Sequence, residues 1–325
     1  MRHLKFSFVF MLVLISVACS HIDSLKSARP IAPIKDYEAL LVGSLEADYI
    51  GDENCLKSCH THDKIALDFK HSVHGEQISA ETGLPLVNCE SCHGPGSLAV
   101  EHAAETGKCD FATLIPLEQL PAQAQSMLCL KCHSAASTPI LHNWMAGTHA
   151  NNDVSCFDCH QLHKGPQQKV NRHEQEQICF GCHQETRMQF AQFSRHPLQQ
   201  KVVCSDCHAT HGGTQQKSLL GSTTRETCTR CHMEYQGPFV FEHADITEDC
   251  INCHLPHGSP HNNLLQVSQP FLCLQCHAGH FGEELPGLDN SSMKQAFYNR
   301  CTDCHSAIHG TDIPSAHGRG SFIAR

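Results

Sequence analysis

The residues best suited to chemistry in this sequence are pairs of cysteines that are followed directly by a histidine. A plain copy runs from Cys89 to His93, and the same Cys-x-x-Cys-His pattern recurs eight more times. A further copy, from Cys55 to His60, has one extra residue between its cysteines. The pattern is typical of c-type haem attachment, in which two thiols add to the haem vinyl groups and the histidine ligates the iron.

We number the motifs 1 to 10 in chain order, and each supplies two cysteines and one histidine. The sequence therefore predicts ten covalently bound c-type haems, held by twenty of the 22 cysteines. The predicted attachment residues are, in order, Cys55 and Cys59, Cys89 and Cys92, Cys129 and Cys132, Cys156 and Cys159, Cys179 and Cys182, Cys204 and Cys207, Cys228 and Cys231, Cys250 and Cys253, Cys273 and Cys276, and Cys301 and Cys304. The predicted proximal iron ligands are His60, His93, His133, His160, His183, His208, His232, His254, His277 and His305.

Structural zinc is the rival interpretation of paired cysteines with histidine. A zinc site gathers four ligands from two cysteine or histidine pairs, and it does not require a histidine directly after every cysteine pair. Disulfides within a motif would be strained and would leave the histidine unexplained. Regular repetition of the complete motif therefore favours haem over both alternatives.

Composition predicts a protein built around its cofactors. The chain has 325 residues, of which only 6% are aromatic and 40% hydrophobic, a thin supply for a conventional core. We therefore expect a multihaem cytochrome c fold of mostly short α-helices and loops wrapped round the haems, with little or no β-structure. The formal net charge of −10 argues against nucleic acid as a partner.

The N-terminus has the features of an exported protein. A basic leader precedes a 13-residue apolar run from Phe6 to Ala18, which is too short to span a bilayer and is typical of a signal peptide over residues 1–18. Cys19 follows small residues and resembles the lipidated cysteine of bacterial lipoproteins; the alternative is ordinary cleavage with a spare thiol. Residues 19–50 are predicted to form a tether, residues 51–309 the decahaem domain, and residues 310–325 a flexible tail. Cys109 has no partner motif and is expected to be a buried thiol.

The motifs form an internal repeat of two haems in roughly 45 to 50 residues, repeated five times. Odd-numbered motifs begin at Cys129, Cys179, Cys228 and Cys273, at intervals of 50, 49 and 45 residues. Helix-start signals precede some of them: Asn171 with Glu174, and Thr223 with Glu226. The even-numbered motifs lie among Gly, Pro, Asp and Asn and are expected in loops.

Histidines outside the motifs recur at fixed offsets and are predicted to be the distal iron ligands. In the middle repeats one precedes the even-numbered motif by seven or eight residues, and another follows the motif histidine by three. The second kind cannot reach round its own porphyrin, so we expect it to ligate a neighbouring haem and to link consecutive haems. His71 competes with His74, and His142 competes with His149. The predicted distal ligands are His74, His102, His149, His163, His196, His211, His243, His257, His280 and His309.

Two histidines on every iron would leave no open position for a substrate. No Cys-x-x-Cys-Lys motif, the signature of some reductase haems, occurs in the sequence. The pattern therefore predicts an electron carrier with six-coordinate irons and not an enzyme.

The motifs also carry a family resemblance. Together with the segments Cys89–Ser97, Gly237–His243 and Cys253–Ser259, they make residues 50 to 310 resemble the decahaem cytochromes of the MtrA and DmsE family. The resemblance implies an elongated molecule of two pentahaem halves, here about 51–170 and 171–309. The extra residue in motif 1 and the possible lipid on Cys19 depart from the family pattern.

The resemblance further implies a periplasmic protein associated with the outer membrane, which serves extracellular respiration. Its partners would be an inner-membrane quinol dehydrogenase or periplasmic cytochrome as donor, and a β-barrel porin of the MtrB kind. The acceptor would be an extracellular multihaem cytochrome or a surface reductase. A soluble periplasmic donor that docks to a terminal reductase is the alternative from another class, and a multihaem reductase is a third.

Overall fold

The computed structural model describes residues 40–61, 63–108, 110–163, 174–198, 200–213, 215–243, 249–277 and 299–314. The predicted signal peptide, Cys19, most of the tether, Cys109, His280 and most of the predicted tail lie outside these ranges. Within them, no helix combines the length and the apolar character needed to span a membrane.

Short helices separated by loops make up the described residues. Residues 40–42 are helical, and nine further α-helices are described from end to end: α1 (Asp52–Ser58), α2 (Ile65–Lys70), α3 (Glu90–His93), α4 (Ser97–Thr106), α5 (Ala122–Leu130), α6 (Thr148–Asn151), α7 (Gln175–Cys182), α8 (Gln184–Phe190) and α9 (Thr224–Thr229). Three-residue 3-10 segments lie at Leu117–Gln119, Pro139–Leu141, Trp144–Ala146, Cys156–Asp158, Cys204–Asp206, Gln216–Ser218, Met233–Tyr235, Cys250–Asn252, Asn262–Leu264, Cys273–Gln275 and Cys301–Asp303. Extended pairing is limited there to isolated bridges. The predicted fold class is thus confirmed.

Contacts divide the chain into two compact units. The first extends to residue 63 and includes residues 87–119, and the second consists of residues 64–86 and of the chain from residue 120 onward. The predicted pentahaem halves stay a prediction, because residues 164–173, which include the predicted boundary near residue 170, lie outside the described part.

A buried carboxylate organises the first unit. Glu90, only 4% exposed, accepts hydrogen bonds from the backbone N–H groups of Ile50 (2.9 Å), Gly51 (2.8 Å) and Gly96 (3.0 Å). Asp52, at the start of α1, accepts a bond from the backbone N–H of Cys89 at 2.7 Å. Buried polar groups are stable when they are hydrogen-bonded in this way. The two carboxylates therefore join the motif 1 helix to motif 2.

The second unit has a small apolar core where motifs 3 and 4 meet. Ala124 and Leu128 on α5 are buried, as are Trp144 and Ala150 further along the chain. The helix α5 contacts the 3-10 turn at Cys156–Asp158. Within the described residues only nine apolar side chains are buried, in agreement with the thin core expected from composition.

Each motif folds as a single tight turn. In all ten, the backbone N–H of the motif histidine donates to the carbonyl oxygen of the first cysteine, at 2.8 to 3.2 Å. In motif 1 the extra residue is absorbed because the bond from His60 to Cys55 spans five residues, as in a π-type turn, while Cys59 also donates to Cys55 at 3.0 Å. The looser motif therefore still closes.

Side-chain caps explain several residues around the motifs. Thr223 accepts a hydrogen bond from the backbone N–H of Glu226 at 3.0 Å and begins α9, which confirms the predicted helix start. Residue Asn171 of the other predicted start lies outside the described residues, and α7 begins at Gln175. In motif 6, Asp206 accepts a bond from the backbone N–H of Val203 at 3.0 Å, and so closes the turn between the two cysteines.

Candidate haem-binding site

The attachment cysteines of successive motifs interact with one another in the second unit. The pairs are Cys129 with Cys156, Cys159 with Cys179, Cys179 with Cys204, Cys207 with Cys231, Cys228 with Cys250, Cys253 with Cys276, and Cys273 with Cys301. Motifs 3 to 10 therefore follow one another in space in the same order as in the sequence. In the first unit Cys55 and Cys89 interact in the same manner.

Hydrogen bonds between some of these thiols lower the pKa of one partner and raise the pKa of the other. The hydrogen bond with Cys228 lowers the pKa of Cys250 to about 7, and the same bond raises the pKa of Cys228. The hydrogen bond with Cys129 likewise lowers the pKa of Cys156 to about 7. Free thiols at this spacing are close enough to share a proton, which underlines how near neighbouring attachment points lie.

Seven of the motif histidines face a second histidine. Their ring centres lie 5.8 to 6.3 Å apart. The pairs, with the motif histidine first, are His133 with His74, His160 with His211, His183 with His149, His208 with His257, His232 with His196, His254 with His309, and His277 with His243.

These distances suit two imidazoles on opposite sides of one metal ion. Two imidazole nitrogens, each about 2 Å from a shared metal, place the ring centres about 6 Å apart. Burial lowers the pKa of His257 and of His309, so both rings are neutral near pH 7 and can ligate. The residues present therefore fit haem iron with two axial histidines.

The pairs follow a rule that the offsets did not reveal. A histidine that precedes an even-numbered motif faces the histidine of the odd-numbered motif after it. His149, for example, precedes motif 4 and faces His183 of motif 5. A histidine that follows an even-numbered motif faces the motif two places earlier, as His211 faces His160. The expected link between consecutive haems therefore differs in detail: the following histidine passes over the motif next to its own.

Hydrogen bonds orient many of these rings. The Nδ1 atom of His208 lies 2.9 Å from the carbonyl oxygen of Lys217, and that of His254 lies 2.8 Å from the carbonyl of Asn263. A carbonyl can only accept, so each ring donates from Nδ1 and keeps the Nε2 lone pair for a metal. Lys217 and Asn263 both have left-handed backbone, with φ of 58° and 57°.

Motif 1 differs in its ring contacts. The Nδ1 atom of His60 lies 2.6 Å from a carboxylate oxygen of Asp63. Within the described residues the ring of Phe111 lies beside that of His60, with 6.5 Å between the two ring centres. The predicted distal ligand His102 lies on α4, where its Nε2 atom is 3.9 Å from a carboxylate oxygen of Asp110.

The structure also separates the competing histidines. His74 and His149 belong to ring pairs, whereas among the ring contacts of the described residues neither His71 nor His142 has a histidine partner. His163 is described but belongs to none of the seven pairs, so its role stays a prediction. His280 lies outside the described residues.

Sequence reasoning missed the residues that support the ligands. Asp63, the left-handed residues Lys217 and Asn263, and the glycines that follow the histidines were not singled out. The glycines carry a readable signal, because Gly212, Gly258 and Gly310 each follow a paired histidine directly. Nothing in a lysine at position 217 indicates left-handed backbone, which lysine rarely adopts.

The alternatives to haem gain no support from the described residues. The twenty motif cysteines form no disulfides with one another. Likewise, no three His, Cys, Asp or Glu side chains in the described ranges converge as a zinc site would require.

Comparison with known proteins agrees with this site. A family model described as "Doubled CXXCH motif" matches residues 149–188, 196–237 and 243–281. With the site geometry, this defines the chain as a multihaem c-type cytochrome, an electron carrier. A curated relative, the multihaem cytochrome MtrA of Shewanella baltica (strain OS185), is 33% identical over 273 residues, which cover 82% of this chain and 80% of the relative. The chain therefore belongs to the MtrA family of multihaem cytochromes.

Proposed function

We propose that this protein carries ten c-type haems, each with two axial histidines, and passes electrons along them from end to end. The proposal rests on the order of the motifs in the second unit, where an attachment cysteine of each motif lies near enough to one of the next motif to interact with it electrostatically. Covalent attachment at such a series of points would hold the cofactors in an unbroken row. The haems supply one-electron chemistry, and the protein fixes their ligands, order and surroundings.

The seven histidine pairs support six-coordinate irons in motifs 3 to 9. His102, His163 and His280 complete the distal set in this proposal, with the ten motif histidines as proximal ligands. Irons held from both sides by imidazole have no open position at which a substrate could bind, as suits a carrier.

The route that this family membership favours crosses the outer membrane. The protein would be exported to the periplasm by residues 1–18, with a possible lipid anchor at Cys19. It would receive electrons from an inner-membrane quinol dehydrogenase, or from a cytochrome that this dehydrogenase reduces. A β-barrel porin of the MtrB kind would let it deliver them to a surface multihaem cytochrome, a surface reductase or another extracellular acceptor.

Four measurements test this proposal. Intact mass of the mature protein should give ten haems, and electron paramagnetic resonance should give low-spin signals for all ten irons. Purification from outer membranes should recover a barrel protein in equal amount, and the complex in lipid vesicles should carry electrons from an enclosed reduced dye to an impermeant external acceptor. A protein recovered without a barrel, and active only toward a periplasmic reductase, would favour the soluble donor instead.

A further inference from the structure

Three copies of one contact join histidines that belong to different pairs. In each copy a histidine followed by glycine packs against the segment that precedes another paired histidine. We call each copy a clasp, defined by its two segments. Clasp A joins residues 143–149 to 210–212, clasp B joins 189–196 to 256–259, and clasp C joins 239–243 to 308–311.

Each clasp requires its glycine. A Cβ atom at Gly258 would overlap the backbone carbonyl of Gln189, and one at Gly212 would overlap the carbonyl of Asn143. A Cβ atom at Gly310 would overlap the ring of Phe239. Glycine allows an approach of the backbone that any other residue prevents.

Backbone hydrogen bonds close the clasps. In clasp B the N–H of Ser194 donates to the carbonyl of Ser259 at 2.9 Å, and the N–H of Ser259 donates back at 2.8 Å. Phe241 and Thr311 exchange the same two bonds in clasp C, at 3.0 and 2.9 Å. In clasp A, by contrast, the two backbones meet through glycines, and a Cβ atom at Gly147 would lie 2.8 Å from the Cα of Gly212.

A side-chain bond ties the two histidines of each clasp together. The Nδ1 atom of His149 lies 3.1 Å from the carbonyl of Thr210, the residue before His211. In clasp B, the Nδ1 atom of His196 lies 2.7 Å from the carbonyl of Pro256, the residue before His257.

Clasp C repeats this arrangement. The imidazole of His243 bonds the backbone of Ile308, the residue before His309. Each bond fixes the plane of one ligating ring to the chain that carries the other ligand.

We infer that each clasp positions the distal ligands of two irons at once, and that a break in its backbone contact disturbs both. The inference rests on the proposed ligation. Clasp A would serve the irons of motifs 4 and 5, clasp B those of motifs 6 and 7, and clasp C those of motifs 8 and 9. Each pair of irons spans a junction between two repeats, so a clasp holds one repeat to the next at the point that electrons must cross.

The test compares Gly258→Ala with His257→Ala and His196→Ala, counting high-spin irons by electron paramagnetic resonance. Each histidine variant loses one side chain and leaves the backbone contact, so we expect one high-spin iron of the ten. The glycine variant keeps both histidines, and we expect two. Faster amide exchange at Ser194 and Ser259 should accompany it. The control is Gly83→Asn. A Cβ atom at this left-handed position (φ 68°) meets nothing within 4 Å, so we expect no high-spin iron in that variant.

Intact mass separates the possible failures. Ten haems on the Gly258→Ala protein show that the chain matured, and Gly212→Ala repeats the test at clasp A should it not. One high-spin iron, or none, would overturn the shared role of the clasp, and so would more than two. Absence of any high-spin iron in His257→Ala would instead contradict the ligation on which the inference rests.

Discussion

Motif 1 and the even-numbered motifs 6 and 8 orient the ring of the motif histidine with different hydrogen-bond acceptors. His208 and His254 direct Nδ1 to a backbone carbonyl and face a histidine from a later repeat. His60 directs Nδ1 to a carboxylate three residues away and has Phe111 beside it. A nearby residue orients the ring in both kinds of site, but the acceptor is a backbone carbonyl at motifs 6 and 8 and a carboxylate at motif 1. A carboxylate withdraws the Nδ1 proton more strongly than a carbonyl does, so the two kinds of site should differ in potential.

The largest effect is expected from removing a ligand that comes from another repeat. His149→Ala should convert one iron, that of motif 5, to high spin, because the only histidine ring facing His183 in the described residues is lost. His142→Ala, the competing candidate, should leave all irons low-spin. Electron paramagnetic resonance of both variants decides between the two histidines, and the reverse result would refute the pairing.

Asp63→Asn should make motif 1 more like the repeats. Loss of the carboxylate weakens electron donation from the imidazole, so the equilibrium between ferrous and ferric haem shifts about tenfold toward the ferrous form. This raises the reduction potential of that haem by about 59 mV for one electron. Spectroelectrochemical titration should show that one haem of the set has a higher reduction potential than in the unchanged protein. Glu53→Gln is the control, because Glu53 pairs with Lys57 on the exposed face of α1 and does not touch His60. An unchanged titration would mean that the carboxylate does not tune this haem.

A smaller effect is expected where a side chain closes a motif turn. Asp206→Ala removes the acceptor for the backbone N–H of Val203 and should lower the free energy of unfolding by about 1 kcal/mol. Urea unfolding followed by circular dichroism measures the change. Glu101→Ala, an exposed position on α4, should change it little. Equal losses in both variants would show that the cap contributes nothing specific.

The smallest effect compares two repeats at the left-handed turn. Lys217→Asn places asparagine where Asn263 stands one repeat later, and should stabilise by about 0.5 kcal/mol because asparagine tolerates this backbone better. The reciprocal Asn263→Lys should destabilise by a similar amount. Denaturant midpoints of the two proteins should move in opposite directions, and a shift in the same direction would rule out backbone conformation as the cause.

Local sequence predicted the attachment motifs, and it predicted one helix start that the structure confirms, but it did not give the histidine partners. Cysteine and histidine spacing is fixed by the chemistry of one haem, so it can be read directly. The start of α9 at Thr223 could be read for the same reason, since capping depends on residues three apart. The facing of His211 and His160 depends on how the chain returns after fifty residues, which offsets alone do not specify. Position 217 shows the limit most clearly, because packing there imposes a conformation that lysine does not prefer.

The histidine pairing makes the middle of the chain modular. One group of histidines, each before an even-numbered motif, pairs with the motif that follows that one: His74, His149, His196 and His243. The other group, each after an even-numbered motif, pairs with the motif two places earlier: His211, His257 and His309. A whole repeat inserted between two others would supply as many distal histidines to its neighbours as it receives from them, so every iron would keep two axial histidines. Insertion of half a repeat would break this match between histidines and motifs. Such a molecule can change its span by duplication in steps of two haems, without redesign of any single site.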